Sequence, residues 1–146
     1  MRKFKFRAWD NGQMVTSFFP ESNYQLEVSF GTKLRLFHCA GRSEVTYEDG
    51  EKILLPYWVC VEDAVIMQYI GLKDMNGKEI YEGDILLDVS PYAGNPKYQV
   101  FWGKDDYAWL LKNENDHWSR IADDERYYEK LKVIGNIYEN PELMEG

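Results

Sequence analysis

Continuous apolar sequence is what this chain lacks most. No stretch approaches the ~20 residues of a membrane-spanning helix. The basic and apolar residues alternate over 1–9, so they do not form the apolar segment of a secretory signal. A cytoplasmic protein with no membrane partner is expected. Cysteine is scarce, with two in 146 residues. Cys39 and Cys60 cannot supply a disulfide framework, and both are expected to be free thiols among apolar strand neighbours. Histidine is equally scarce, and His38, Cys39 and His117 show neither C-x-x-C nor H-x-x-x-H spacing, so neither a metal nor a cofactor is expected. Positive charge is short as well: 17 Lys and Arg stand against 25 Asp and Glu, for a net charge of −8. Affinity for a phosphate backbone comes from lysine and arginine releasing counterions, so nucleic acid is not the expected partner. Finally, G-x-S-x-G, P-loop and H-E-x-x-H motifs are all missing, and Asp116-His117 has no nucleophile beside it. The chain is therefore not expected to be an enzyme, and no catalytic residue is assigned.

What is present is a domain-sized chain in which alternation and turns dominate. At 17.3 kDa it can bury roughly 69% of its unfolded surface, enough for a core without metal or disulfide support. The opening residues place Phe4, Phe6 and Ala8 on one side and Lys3, Lys5, Arg7 and Trp9 on the other, the pattern of a half-buried strand with a solvated basic face. Asn11-Gly12 is the pair best suited to a type I′ turn, which predicts a hairpin returning through 14–19. Further strands are predicted over 26–30, 33–37, 44–47, 52–55, 57–61, 65–70, 85–89, 98–102, 107–111 and 132–138. A loop is read at 40–43, an interruption at Pro56, and a helical turn at 62–64. Asn76-Gly77 marks a hairpin tip and Gly83-Asp84 a second reversal. One short helix is predicted over 123–132, with Asp123 or Asp124 as its cap, and a closing helical turn after Asn140-Pro141. Many short strands with no βαβ alternation make the fold class mainly β.

Three separated segments then point to a family. The run from Gln68 through Gly71-Leu72-Lys73-Asp74-Met75-Asn76-Gly77-Lys78-Glu79-Ile80-Tyr81-Glu82-Gly83-Asp84 to Ile85, with Lys5–Asp10 near the start and Val133–Leu143 near the end, closely resembles the YopX family. Ile70 stands where the family pattern has threonine and Met75 where it has lysine. The resemblance implies a protein of bacteriophages or prophages of Gram-positive bacteria, acting in the infected or lysogenic host, mainly β, and with no catalytic residue to carry over. It implies a single YopX-like unit over 1–146, with sub-regions 1–66 (hairpin-rich) and 67–146. The order of reversal, Gly-Asp, strand, two further strands and a last one in 67–146 looks like an SH3-like small barrel. Within this motif the residues themselves assign turn or close-approach roles to Gly12, Gly71, Gly77, Gly83 and Gly135 (the last at a bulge), and core roles to Ile80, Ile85, Leu87, Ile134 and Ile137.

Aromatic residues make up 16% of the chain, an excess that can fill a core, line a groove or build an interface. Trp9 falls on the charged side of its strand, which singles it out as an interface residue. Tyr92, Trp102, Trp109 and Trp118 form a second candidate surface. The carboxylates Glu79, Glu82, Asp84, Asp105, Asp106, Asp123, Asp124 and Glu125 sit in turns or at a helix start, where they are expected to cap N–H groups or face water. The leading expectation is a non-catalytic, self-associating interaction module that engages a host or phage protein. Two alternatives stand beside it: an acidic decoy that mimics nucleic acid toward a host DNA-binding protein, and a small-ligand or oligonucleotide-binding barrel that uses aromatic stacking.

Overall fold

The computed structural model describes residues 4–18, 20–29, 33–121 and 128–145. Among them the chain forms β1 (Phe6–Asp10), β2 (Gln13–Val15), β3 (Tyr24–Ser29), β4 (Lys33–Thr46), β5 (Lys52–Cys60), β6 (Val65–Lys73), β7 (Glu79–Tyr81), β8 (Asp84–Asp88), β9 (Lys97–Gly103), β10 (Ala108–Asn113), β11 (Trp118–Arg120) and β12 (Leu131–Asn136). A 3₁₀ turn over Pro141–Met144 follows. The fold is mainly β. The chain divides into two compact units, one of Met1–Phe6 with Met67–Gly146 and the other of Arg7–Ile66, and the strands β1 and β6 run from one into the other.

In the unit of Arg7–Ile66, Asn11 and Gly12 take φ of 46° and 94° and turn β1 into β2 with Trp9 opposite Met14. The return strand stops at Val15, well short of the 14–19 expected. Ala8, Val15 and Leu36 are buried, and Phe18, Tyr24, Leu26 and Val61 pack on them. The basic side of β1 is not a solvated face: Arg7 is buried. The strands β3, β4 and β5 form an antiparallel sheet in that order. The loop expected at 40–43 is instead continuous strand. A bulge between Cys39 and Gly41 absorbs one residue, so β4 keeps pairing with β5 as far as Thr46–Lys52. At the bulge the Tyr57 ring lies so close over Gly41 that an added Cβ would sit 3.0 Å from it. Pro56 does not interrupt either, because β5 is the edge of this sheet and an edge residue can lack an N–H.

In the other unit, β11-β10-β9-β8-β12 make a five-stranded antiparallel sheet. Leu86, Val100, Leu111, Leu131 and Val133 form its buried cluster, together with Ile70 and Ile80 from the β6–β7 hairpin. The core assignment holds for two of the five expected residues: Ile80 and Ile85 are fully buried, whereas Leu87, Ile134 and Ile137 are half-buried. Leu86 pairs with Val133 on the core side, which turns Leu87 and Lys132 to the other side. Gly135 sits at a bulge in β12, where a Cβ would come within 2.5 Å of Asn140 Oδ1. Gly71, Gly77 and Gly83 have φ of 95°, 79° and 81°. The helix expected over 123–132 starts on residues 122–127, outside the described residues, and its last two, Leu131 and Lys132, are already β12.

Buried carboxylates tie this unit together. Asp74 Oδ1 accepts the N–H groups of Asn76 and Lys78 at 2.8 and 2.9 Å, and Oδ2 accepts that of Val133 at 2.9 Å. Asp84 accepts the Tyr81 N–H and Asp88 the Ser90 N–H, each at 2.8 Å. Replacing Asp74 with alanine strands three N–H groups at a site that is 6% exposed. A loss of about 3 kcal/mol is expected, read as a lower urea midpoint. Asp74→Asn should lose less, since one amide oxygen still serves part of the set.

Candidate functional site

The apolar side of the five-stranded sheet runs out at the β9–β10 turn. Trp102 and Trp109 are directly opposed across these strands, with ring centres 5.0 Å apart and planes at 70°. Trp102 is 40% exposed and Trp109 is half-buried, so the pair is only partly covered. The turn holds Tyr107 at φ 49°, a residue 83% exposed, and Gly103 lies so near Leu110 that a Cβ would be 2.4 Å away. Alternation along β6 lines up Gln68, Ile70 and Leu72. Together with Glu82, Arg120 and Ile121 these residues line a cleft of ≈ 770 Å³ within this unit. That volume lies in the range of small-ligand sites.

The charges in the cleft are not equivalent. Arg120 is paired with Asp106 at 3.2 Å. Glu82 has no lysine or arginine partner among the described residues, and burial pushes its carboxyl above the usual glutamate range, against a smaller opposing effect from a hydrogen bond with the Gln68 backbone. Glu79, which does not line the cleft, is paired with Lys5 and accepts the Tyr81 hydroxyl at 3.0 Å, and the Lys5 hydrogen bond holds its carboxyl below the usual range. Lys5 also lies 5.7 Å from the centre of the Tyr69 ring.

The aromatic residues singled out in the sequence do not all meet. Trp102 and Trp109 do. Trp118 pairs with Lys112, three residues along β10 from Trp109, and therefore projects from the opposite face of the sheet, where it is 57% exposed. Tyr92 is fully exposed on the loop between β8 and β9. Trp9 is half-buried in the other unit. Of the carboxylates expected in turns, Asp84 caps the Tyr81 N–H and Asp106 pairs with Arg120, Glu79 stands instead in β7 paired with Lys5, and 123–125 lie outside the described residues. Glu82 is the exception that turn chemistry did not reveal. Tyr107 was also missed, because its position depends on a left-handed backbone at a residue type that rarely adopts one. Among the described residues no cluster of three or more His, Cys, Asp or Glu is placed to hold a metal ion, and no helix is long and apolar enough to cross a membrane.

A second surface lies in the unit of Arg7–Ile66. Beyond the bulge, β4 and β5 continue as a two-stranded ribbon. Val45 opposes Ile53, Ser43 opposes Leu55 and Gly41 opposes Tyr57 on one face, while Glu44 opposes Leu54 and Thr46 opposes Lys52 on the other. Leu55, Tyr57 and Val59, on the same face of β5, are 43%, 46% and 52% exposed.

These features define a mainly β chain of two units, one with an aromatic cleft and the other with an amphipathic ribbon. The YopX protein family matches residues 5–145, and the chain belongs to that family. Among solved structures it is similar to protein EF1440 from Enterococcus faecalis, at 26% identity and a TM-score of 0.63, over 99% of this chain and 100% of that one. No curated protein matches.

The two glutamates predict opposite pH behaviour. Glu79 has a lowered value in the fold, so its contribution is present above the ordinary glutamate range and is lost as pH falls through the lowered value. It should amount to less than about 1 kcal/mol for so exposed a pair. Glu82 has a raised value, so stability falls as pH rises from the ordinary range through the raised one. Glu82→Gln should therefore have a higher urea midpoint than the parent at pH 7, with the difference vanishing near pH 4.

Proposed function

We propose that this YopX-family protein is a non-catalytic interaction module, encoded by a phage or prophage and working in the host cytoplasm, that self-associates through the β4–β5 ribbon. In this reading the unit containing Met67–Gly146 is an SH3-like barrel carrying a recognition surface, and the ribbon is the assembly arm. The observation that carries the proposal is the uncovered strip Val45, Ile53, Leu55, Tyr57 and Val59. Four of these residues are at least 37% exposed, and they stand on one face of a ribbon whose other face mixes Arg42, Glu44, Thr46 and Lys52 with Leu54 and Pro56. A two-stranded ribbon is marginal in water by itself, and a strip of large apolar side chains marks an association site.

A second copy is the occupant that fits. The Glu44–Lys52 pair, at 2.8 Å, lies on the opposite face, so a two-fold axis can bring the apolar strip onto itself without burying either charge. The free edge of β5 between Lys52 and Leu55 offers unpaired main-chain groups beside it, and Pro56 ends that edge. No reaction centre is invoked. The acidic balance favours a protein partner over nucleic acid.

Sedimentation velocity over a concentration series should show a dimer or higher assembly for the parent chain. Leu55→Glu and Val45→Lys, both at exposed positions, should shift it to monomer while leaving the far-ultraviolet circular dichroism unchanged. A parent chain that stays monomeric at about 100 µM, well above the micromolar range of weak specific dimers, would remove the assembly role.

A further inference from the structure

The cleft at the end of the β9–β10 pair lies in a different unit from the ribbon and calls for an occupant of its own. We propose that it binds an organic cation, an alkylammonium or guanidinium group, with the charge on the Glu82 carboxylate and the body of the ligand against the indoles of Trp102 and Trp109.

Three observations select this chemistry. The first is the charge arrangement. Among the described residues, Arg120 is the one cation that lines the cleft and it is engaged by Asp106, while Glu82 lines the same space without a lysine or arginine partner. A half-buried carboxylate in that position has given up part of its hydration without gaining a counterion, and an incoming cation restores the balance. The upward shift of the Glu82 carboxyl by burial agrees with this. The second is the wall. Edge-to-face Trp102 and Trp109, with exposed Tyr107 on the rim, present π faces, and indole is the strongest side-chain partner for a cation. The third is that the chain already contains this arrangement with its own cation: Lys5 is paired with Glu79 and stands 5.7 Å from the centre of the Tyr69 ring. The cleft repeats the carboxylate and the aromatic rings, but the cation is left to come from elsewhere. The net charge of −8 raises the local concentration of cations and disfavours phosphate-bearing ligands.

The same head group can come from a free amine or from a lysine or arginine side chain of a peptide, and the experiment separates them. The full-length chain is titrated with agmatine, with N-acetyl-arginine methylamide, with tetramethylammonium and with N-acetyl-norleucine methylamide as the neutral isostere. Heat is followed by calorimetry, and the indole N–H signals of Trp102 and Trp109 by NMR. Saturable binding of the cations is expected, with shifts at Trp102 and Trp109 and none at Trp118, which faces the other side of the sheet. Glu82→Gln should weaken it by about tenfold or more, the scale of one lost charge-assisted contact. Tyr107→Ala, at an exposed rim position, should weaken it by a smaller factor and keeps the test open if the Glu82 variant folds poorly. Agmatine binding without the acetylated amide would identify a free amine as the source; equal binding would identify a peptide side chain. Binding of the neutral isostere as tight as that of the cations, affinity unchanged in a folded Glu82→Gln variant, or no binding at millimolar cation would overturn the proposal. None of these outcomes depends on whether the ribbon assembles.

Discussion

The Asp74 carboxylate is the contact on which the unit containing residues 67–146 depends. Its two oxygens accept three main-chain N–H groups, two from the hairpin tip at Asn76 and Lys78 and one from Val133 on a strand 59 residues away. The neighbouring Met75 N–H bonds the Leu131 carbonyl at 2.9 Å, so the tip is sewn to the start of β12 at two points. A buried carboxylate with both oxygens engaged by main chain cannot slide by one residue without stranding donors, and this fixes the register of elements that are far apart in sequence. The central and C-terminal motifs of the YopX family are thus two halves of one contact. Gly83 extends the same logic: its N–H bonds Val100 and its carbonyl accepts from Ile137, bringing the second reversal against both β9 and the C-terminal turn.

From that frame the two surfaces follow for different reasons. The cleft arises where the core-facing positions of β9 and β10 reach the end of the sheet. Trp102 and Trp109 continue the row of Val100 and Leu111 but have nothing packed over them as completely, and Glu82 comes in from the reversal that Gly83 holds. The ribbon arises because β4 and β5 go on pairing past the bulge at Cys39–Gly41, beyond the part of the sheet that packs on Leu36. Alternation then sorts its side chains into an apolar face and a mixed, charge-bearing one whether or not a second layer is present to cover the apolar one.

Much of the strand order could be read directly. Asn11-Gly12, Asn76-Gly77 and Gly83-Asp84 are turn pairs whose preference is local, and the apolar runs of β6, β8, β9, β10 and β12 stand within a residue or two of where alternation places them, β6 running on to Lys73. The errors share a cause. Residues 40–43 look like a loop because Ala, Gly, Arg and Ser have weak strand preference, yet pairing with β5 carries the strand through them. Pro56 looks like a break because its edge position is decided by which strand lies beside it. Leu87, Ile134 and Ile137 look like core because they are apolar, but the pairing of Leu86 with Val133 turns them half outward. For the site, the aromatic excess was visible and its members could be named, but only pairing register separates Trp102 and Trp109 from Trp118.

The sequence by itself determined the class of this protein: mainly β, acidic, poor in cysteine and histidine, and a YopX-family chain, because turn preferences, alternation and family motifs act over a few residues at a time. Tertiary structure alone decided which carboxylate lines the cleft, which two tryptophans meet, and which strip of the ribbon stays bare. Those outcomes depend on registers set by contacts such as Asp74 with Val133, whose partners are too far apart in the chain for local preference to report.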